Sequence, residues 1–217
     1  MSLPTLDPVE VRVLGALVEK SLATPDSYPL TLNSVRSACN QSSSRDPVMD
    51  LSERDVSQAL DRLMRRRIVG TASGAGHRVA KFRHAMAEVL NLSRRELAAL
   101  AVLMLRGPQT AGEIRSRVGR MADLANVAEA EEVLWLLSDR EQPLAARLPR
   151  EPGRSADRFA HTLAGDVAAS PPEAEDTTAP AGPAPPTLAD RVAELESQVE
   201  ALRAELTGLR DRLGDAD

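Results

Sequence analysis

Apolar positions near the start of the chain fall into a helical pattern that returns later at a constant offset. Val11, Leu14, Leu17 and Val18 lie on one helical face, and Leu97, Leu100, Leu103 and Met104 repeat the spacing 86 residues on. Each run opens with the same local chemistry. Asp7 serves as an N-cap, Pro8 suits the first helical position, and Glu10 completes a capping box, with Leu6 and Val11 placed as a hydrophobic staple. Ser93, Glu96 and the Leu92/Leu97 pair supply the same parts before the second run. A shorter helix follows each time. Thr31 caps a segment around 35–39, and Thr110, with Glu113 three residues on, caps 111–118. A third helix follows, from the cap at Ser52 to about Arg67 with Val56, Leu60 and Leu63 on its apolar face. Its counterpart runs from about Asn126 to Asp139 with Ala130, Leu134 and Leu137. The offset has fallen to 74, so the second copy lacks a length corresponding to the loop 42–50.

After each third helix the period changes to that of a strand pair. Residues 68–72 turn through Ser73-Gly74-Ala75-Gly76 into 78–84, and 144–148 turn through 149–156 into 158–161, with Phe82 and His84 matching Phe159 and His161. Three helices followed by a β-hairpin predict a winged helix-turn-helix, here twice. The expected fold is mostly α with small β-hairpins (α+β), as two tandem winged-helix domains, 5–88 and 89–165, each large enough for a small core.

The pattern then lapses. Residues 166–187 hold six of the 15 prolines and almost nothing large and apolar, which predicts a flexible linker. Beyond it Leu188, Val192, Leu195, Val199, Leu202, Leu206, Leu209 and Leu213 keep a strict 4-3 spacing. This predicts a coiled coil over 188–214 and hence a homodimer. A helix folded back on its own domain is the alternative.

Charge sharpens this division. Residues 1–165 hold 23 Lys/Arg and 20 Asp/Glu, net +3, whereas 166–217 hold 4 and 12, net −8. The overall −5 is therefore a property of the tail and does not exclude a nucleic-acid partner for the globular part. The third helix of the first copy carries Arg54, Gln58, Arg62 and Arg65 opposite its apolar stripe, with Arg78 on the wing, and these are the candidate duplex-DNA contacts. Asp61 on the same face opposes phosphate, and a basic helix end also complements the helix dipole. The third helix of the second copy is acidic instead, with Glu129, Glu131, Glu132 and Asp139. Glu129, Glu132 and Trp135 are the candidate contacts to a protein partner. For Trp135 the expected role is packing against the other domain, with anchoring of a partner as the alternative.

Candidate chemistry is sparse. No metal-ligand spacing, Gly-rich phosphate loop or nucleophile motif occurs, so neither a cofactor nor an enzymatic activity is expected. Cys39, the single cysteine, reads as a small buried apolar residue, and it fits a reducing compartment. No apolar run is long enough to span a membrane and no secretory leader is visible, so a cytoplasmic location is expected. With only Tyr28, Phe82, Trp135 and Phe159, stacking on single-stranded bases has little to work with. The polar run 40–47 reads as a structured turn before the third helix.

The stretches Tyr28-Pro29-Leu30, Ala38-Cys39-Asn40-Gln41, Arg45-Asp46-Pro47-Val48-Met49, Val102-Leu103-Met104-Leu105-Arg106-Gly107 and Leu148-Pro149-Arg150-Glu151-Pro152-Gly153-Arg154 resemble the bacterial YceH family, the domain of unknown function numbered 480. The resemblance covers about residues 5–165. It implies tandem winged helices and, in many members, a short coiled-coil tail, and it implies no catalytic residue. The leading expectation is thus a non-enzymatic, DNA-associated or regulatory protein that dimerises through its tail. The alternative is a protein–protein interaction scaffold that uses its winged helices as docking modules without touching DNA.

Overall fold

The computed structural model describes residues 5–72, 79–149 and 156–165. Arg78, the linker 166–187 and the apolar seam of 188–214 lie outside the described residues. The described chain is mixed α/β, with helices joined to two small antiparallel sheets.

The element order repeats. The first copy runs α1 (Pro8–Ala23), β1 (Leu30–Thr31), α2 (Leu32–Cys39), α3 (Glu53–Arg65), β2 (Val69–Ala72) and β3 (Lys81–His84). A short helix, α4 (Met86–Leu90), leads into α5 (Arg94–Arg106), β4 (Gln109–Thr110), α6 (Ala111–Val118), α7 (Val127–Ser138), β5 (Ala145–Arg147) and β6 (Arg158–His161). The caps read from the sequence close as hydrogen bonds. Asp7 accepts from the Glu10 N–H at 2.8 Å while Glu10 accepts from the Asp7 N–H at 2.9 Å, and Ser93 and Glu96 do the same for α5. Each such pair satisfies donors that the first helical turn leaves without partners.

Both sheets have the same topology, β1-β3-β2 and β4-β6-β5, with the last strand of each repeat in the centre. Phe82 lies opposite Leu30 and Thr71, and Phe159 lies opposite Gln109 and Arg147, so the equivalent aromatics hold the same register. The two-residue strands β1 and β4 and the helix α4 add to the elements expected from sequence. Thr31 and Thr110 each end a strand and cap a helix, which fixes the turn between them.

The first helices carry more than one apolar face. Every residue of α1 from Glu10 to Val18 and of α5 from Glu96 to Leu105 is buried. A helix buried all round must be covered on all sides, and here each first helix is also covered by the other. Gly15 sits at that contact: a Cβ there would come within 3.0 Å of Leu105 Cγ and 3.1 Å of Met104 Cβ. One apolar cluster therefore runs through both repeats, from Leu14 and Leu60 to Leu100 and Leu134.

Candidate interaction surfaces on the third helices

The third helices occupy the same place in their repeats, and their N-caps, Ser52 and Asn126, coincide at the offset of 74. Both bury one stripe: Val56, Ala59, Leu60 and Leu63 on α3, and Ala130, Val133, Leu134 and Leu137 on α7. Both are also tied to the first helix of their repeat by the same ion pair. Arg66, just past α3, donates to Glu10 at 3.0 Å, and Arg140, just past α7, donates to Glu96 at 3.0 Å. The glutamates that cap α1 and α5 thus anchor the third helices as well.

Outside that shared frame the two helices differ position by position. On α3, Arg62 bends back to the first helix and donates to Glu10 at 2.9 Å and to Asp7 at 2.6 Å. Of the expected DNA contacts on α3, Arg62 is thereby held in an ion-pair network, while Arg54, Gln58 and Arg65 are exposed. The exposed charges of this helix are Glu53, Arg54, Asp55, Asp61 and Arg65, which sum to −1. The Asp55 carboxyl is held below its ordinary range by hydrogen bonds from the Ser52 hydroxyl and backbone, so it remains an anion.

At the positions of Arg54, Gln58, Asp61, Arg62 and Arg65, the second repeat carries Ala128, Glu132, Trp135 and Leu136 on α7 and Asp139 just past its end. All five are exposed, with Trp135 at 55% and Leu136 at 52%. The expectation that Trp135 packs against the other domain is therefore corrected. The α1–α5 contact joins the repeats elsewhere and leaves the outer face of α7 to solvent. Helical spacing puts Glu131, Glu132 and Asp139 three or four residues from Trp135, as its neighbours on the same face. None of these three acids is in an ion pair among the described residues. Glu129, also expected to touch a partner, accepts from the Ala125 N–H at 3.1 Å and pairs with Arg95 at 3.4 Å at the start of the helix.

The profile of the DUF480 family, described as a protein of unknown function, matches residues 6–154 and so includes both third helices. The chain belongs to this family. Among UPF0502 proteins, a relative from Geobacter sulfurreducens is 52% identical over 91% of this chain and 90% of its own. One from Chromobacterium violaceum is 47% identical over 96% and 92%, and one from Shewanella amazonensis is 44% identical over 91% and 97%.

In this DUF480 chain most other basic side chains of the second repeat serve structure. Arg115 donates to the Ala125 carbonyl, Arg117 pairs with Glu113, Arg147 pairs with Asp157, and Arg158 donates to the Pro108 carbonyl. The polar run 40–47 is anchored in the same way. Asn40 bridges to Leu51 through both its amide atoms at 2.9 Å. Arg45, with no side-chain exposure, pairs with Glu19 at 2.6 Å and donates to the Ala38 carbonyl and to Gln41. The buried Arg12 reaches the carbonyls of Cys39 and Pro47, while Arg106 donates to Ser44 and the Asp46 N–H to the Leu105 carbonyl. The loop is therefore clamped between α1 and α5. Sequence reasoning missed Arg12 and Arg45, because an isolated arginine reads as a surface residue.

No reactive group emerges from this network. Burial pushes the Cys39 thiol up to about 12, which leaves it protonated and poorly nucleophilic. His84 takes the Met86 N–H at Nδ1, which leaves its Nε2–H to donate to Ser21 Oγ at 2.8 Å. Burial lowers the pKa of both His84 and its counterpart His161, the latter to about 4. Among the described residues no group of three or more His, Cys, Asp or Glu side chains is placed to hold a metal ion, and no helix is long and apolar enough to cross a membrane.

Proposed function

We propose that this DUF480 protein is a non-enzymatic protein–protein interaction scaffold, in which two winged helix-turn-helix units sit back to back and α7 docks a protein partner. The observation that carries the reading is the outward face of α7, where a half-exposed tryptophan and leucine stand among carboxylates that form no ion pair among the described residues. Large exposed aromatics on a rigid helix are suited to anchor an interface. The helix order and the strand pair after each third helix support the winged-helix assignment. The heptad seam of 188–214 supports homodimerisation, and the single buried thiol supports a cytoplasmic location. Affinity capture with the full chain, after nuclease treatment, tests the reading. A stoichiometric partner should be retained by the wild type and lost with Trp135→Ala. A bound set that nuclease removes and Trp135→Ala leaves unchanged would refute it.

The exposed Arg54, Gln58 and Arg65 support a second reading, duplex-DNA contact by α3 with help from Arg78. It predicts salt-dependent binding whose slope falls by about one when Arg65→Gln removes a phosphate contact.

A further inference from the structure

We infer that the partner segment docked by α7 is a cationic amphipathic helix, with arginine placed to lie over Trp135. The inference rests on the scaffold reading above and adds the chemistry of the partner. Trp135 lies near the middle of the exposed face, with Glu131 and Asp139 one turn away on either side and Glu132 beside it. Ala128, two turns before Trp135, leaves room for another helix to approach closely, and Leu136 widens the apolar strip. A guanidinium over an indole face gains a cation–π contact, and neighbouring carboxylates reinforce it.

Charge tells against a second copy, nucleic acid and an anionic membrane surface as the occupant. Pairing α7 with α7 of a second copy would bring Glu131, Glu132 and Asp139 against their own equivalents. The exposed face of α3 in a second copy sums to −1 and offers no complement. Nucleic acid and an anionic membrane surface meet the same three carboxylates. A segment that alternates arginine with leucine at helical spacing satisfies both the apolar strip and the acids around it.

Trp135 is the only tryptophan of the sequence, so its fluorescence reads this face directly in the full-length protein. The probes are three synthetic helical peptides about four turns long, identical in their leucines and bearing Arg, Gln or Glu at the flanking positions. The Arg peptide should shift the Trp135 emission and bind at least about fivefold more tightly than the Gln peptide, with affinity falling as salt rises. The Glu peptide and a mixed-sequence DNA duplex should leave the emission unchanged. In Glu131→Gln/Glu132→Gln, which keeps both side chains exposed and uncharged, the preference for Arg over Gln should shrink about threefold. Equal binding of the Arg and Gln peptides, a response to DNA, or an unchanged preference in the double variant would overturn the inference. The two layers separate cleanly. A partner whose capture needs Trp135 but ignores Glu131→Gln/Glu132→Gln removes the cationic assignment and leaves the scaffold reading standing. Capture indifferent to Trp135→Ala removes the reading itself.

Discussion

The α3 and α7 helices each start from a side-chain N-cap, bury matching stripes and are held by equivalent Glu–Arg pairs, yet present different surfaces. On α3, Arg62 folds back onto Asp7 and Glu10, and what remains outside is a mixture of charges. On α7, Leu136 takes the place of Arg62, Ser93 replaces Asp7, and Trp135 replaces Asp61. The inward half of the third helix carries the fold, and the outward half is free to vary between the repeats. Each prediction below tests how far that division holds.

The shared, inward half should show the largest effects, and equal ones. Leu60 and Leu134 are both fully buried at matching positions. Leu60→Ala and Leu134→Ala should each lower stability by about 2–5 kcal/mol, read as a shift of the urea midpoint. A difference between them much larger than about 2 kcal/mol would break the equivalence of the repeats.

Next come the anchors, where the repeats should part. Glu10 is almost fully buried and holds Arg62, Arg66 and the Asp7 N–H. Glu96 holds Arg140 and the Ser93 N–H. Glu10→Ala should cost about 2–3 kcal/mol and Glu96→Ala about 1–2 kcal/mol, after allowance for the partly exposed arginines, which regain water. Equal losses would mean that Arg62 contributes nothing to the fold and is held only nominally.

The histidines supply a comparison in pH. The His161 pKa is about 4 in the folded chain against 6.5 for an ordinary histidine, so the unfolded state binds the proton first. The stability it contributes is complete above pH 6.5, declines as pH falls toward 4, and levels off below. At most about 3 kcal/mol is involved. His84 shifts in the same direction but has Ser21 and the Met86 N–H as partners, whereas His161 Nδ1 is buried without a hydrogen bond among the described residues. Removing the imidazole by His161→Leu should flatten the acid limb of stability between pH 6.5 and 4, measured by urea titrations at several pH values. An unchanged limb would assign the acid sensitivity to other groups.

The smallest effect on stability belongs to the outward half. Trp135→Ala and Arg65→Gln, both on exposed faces, should each change stability by no more than about 0.5 kcal/mol. That is what makes them clean probes of binding.

What could be read from the chain follows from the range of each interaction. Caps such as Asp7/Glu10 and Ser93/Glu96 act over three residues, and the stripes of α3 and α7 recur every three or four, so both were legible. The matching Phe82 and Phe159 marked the last strand of each hairpin. The strands β1 and β4 were not legible, because each is two residues long and exists only by pairing with a strand about 50 residues away. The exposure of Trp135 was not legible either. It depends on where the repeats meet, and that contact is set by α1 and α5, down to the missing side chain of Gly15. Arg62 looked available because its partners, Asp7 and Glu10, lie more than 50 residues away. The candidate surface on α7 was therefore visible as a list of residues, and its role turns on long-range packing.

The most direct test sets the two outward faces against each other in one capture experiment with the full chain, comparing wild type, Trp135→Ala and Arg65→Gln after nuclease treatment. The account predicts that the stoichiometric partner is lost with Trp135→Ala and kept with Arg65→Gln. A partner kept with Trp135→Ala, or lost with Arg65→Gln alone, would contradict it.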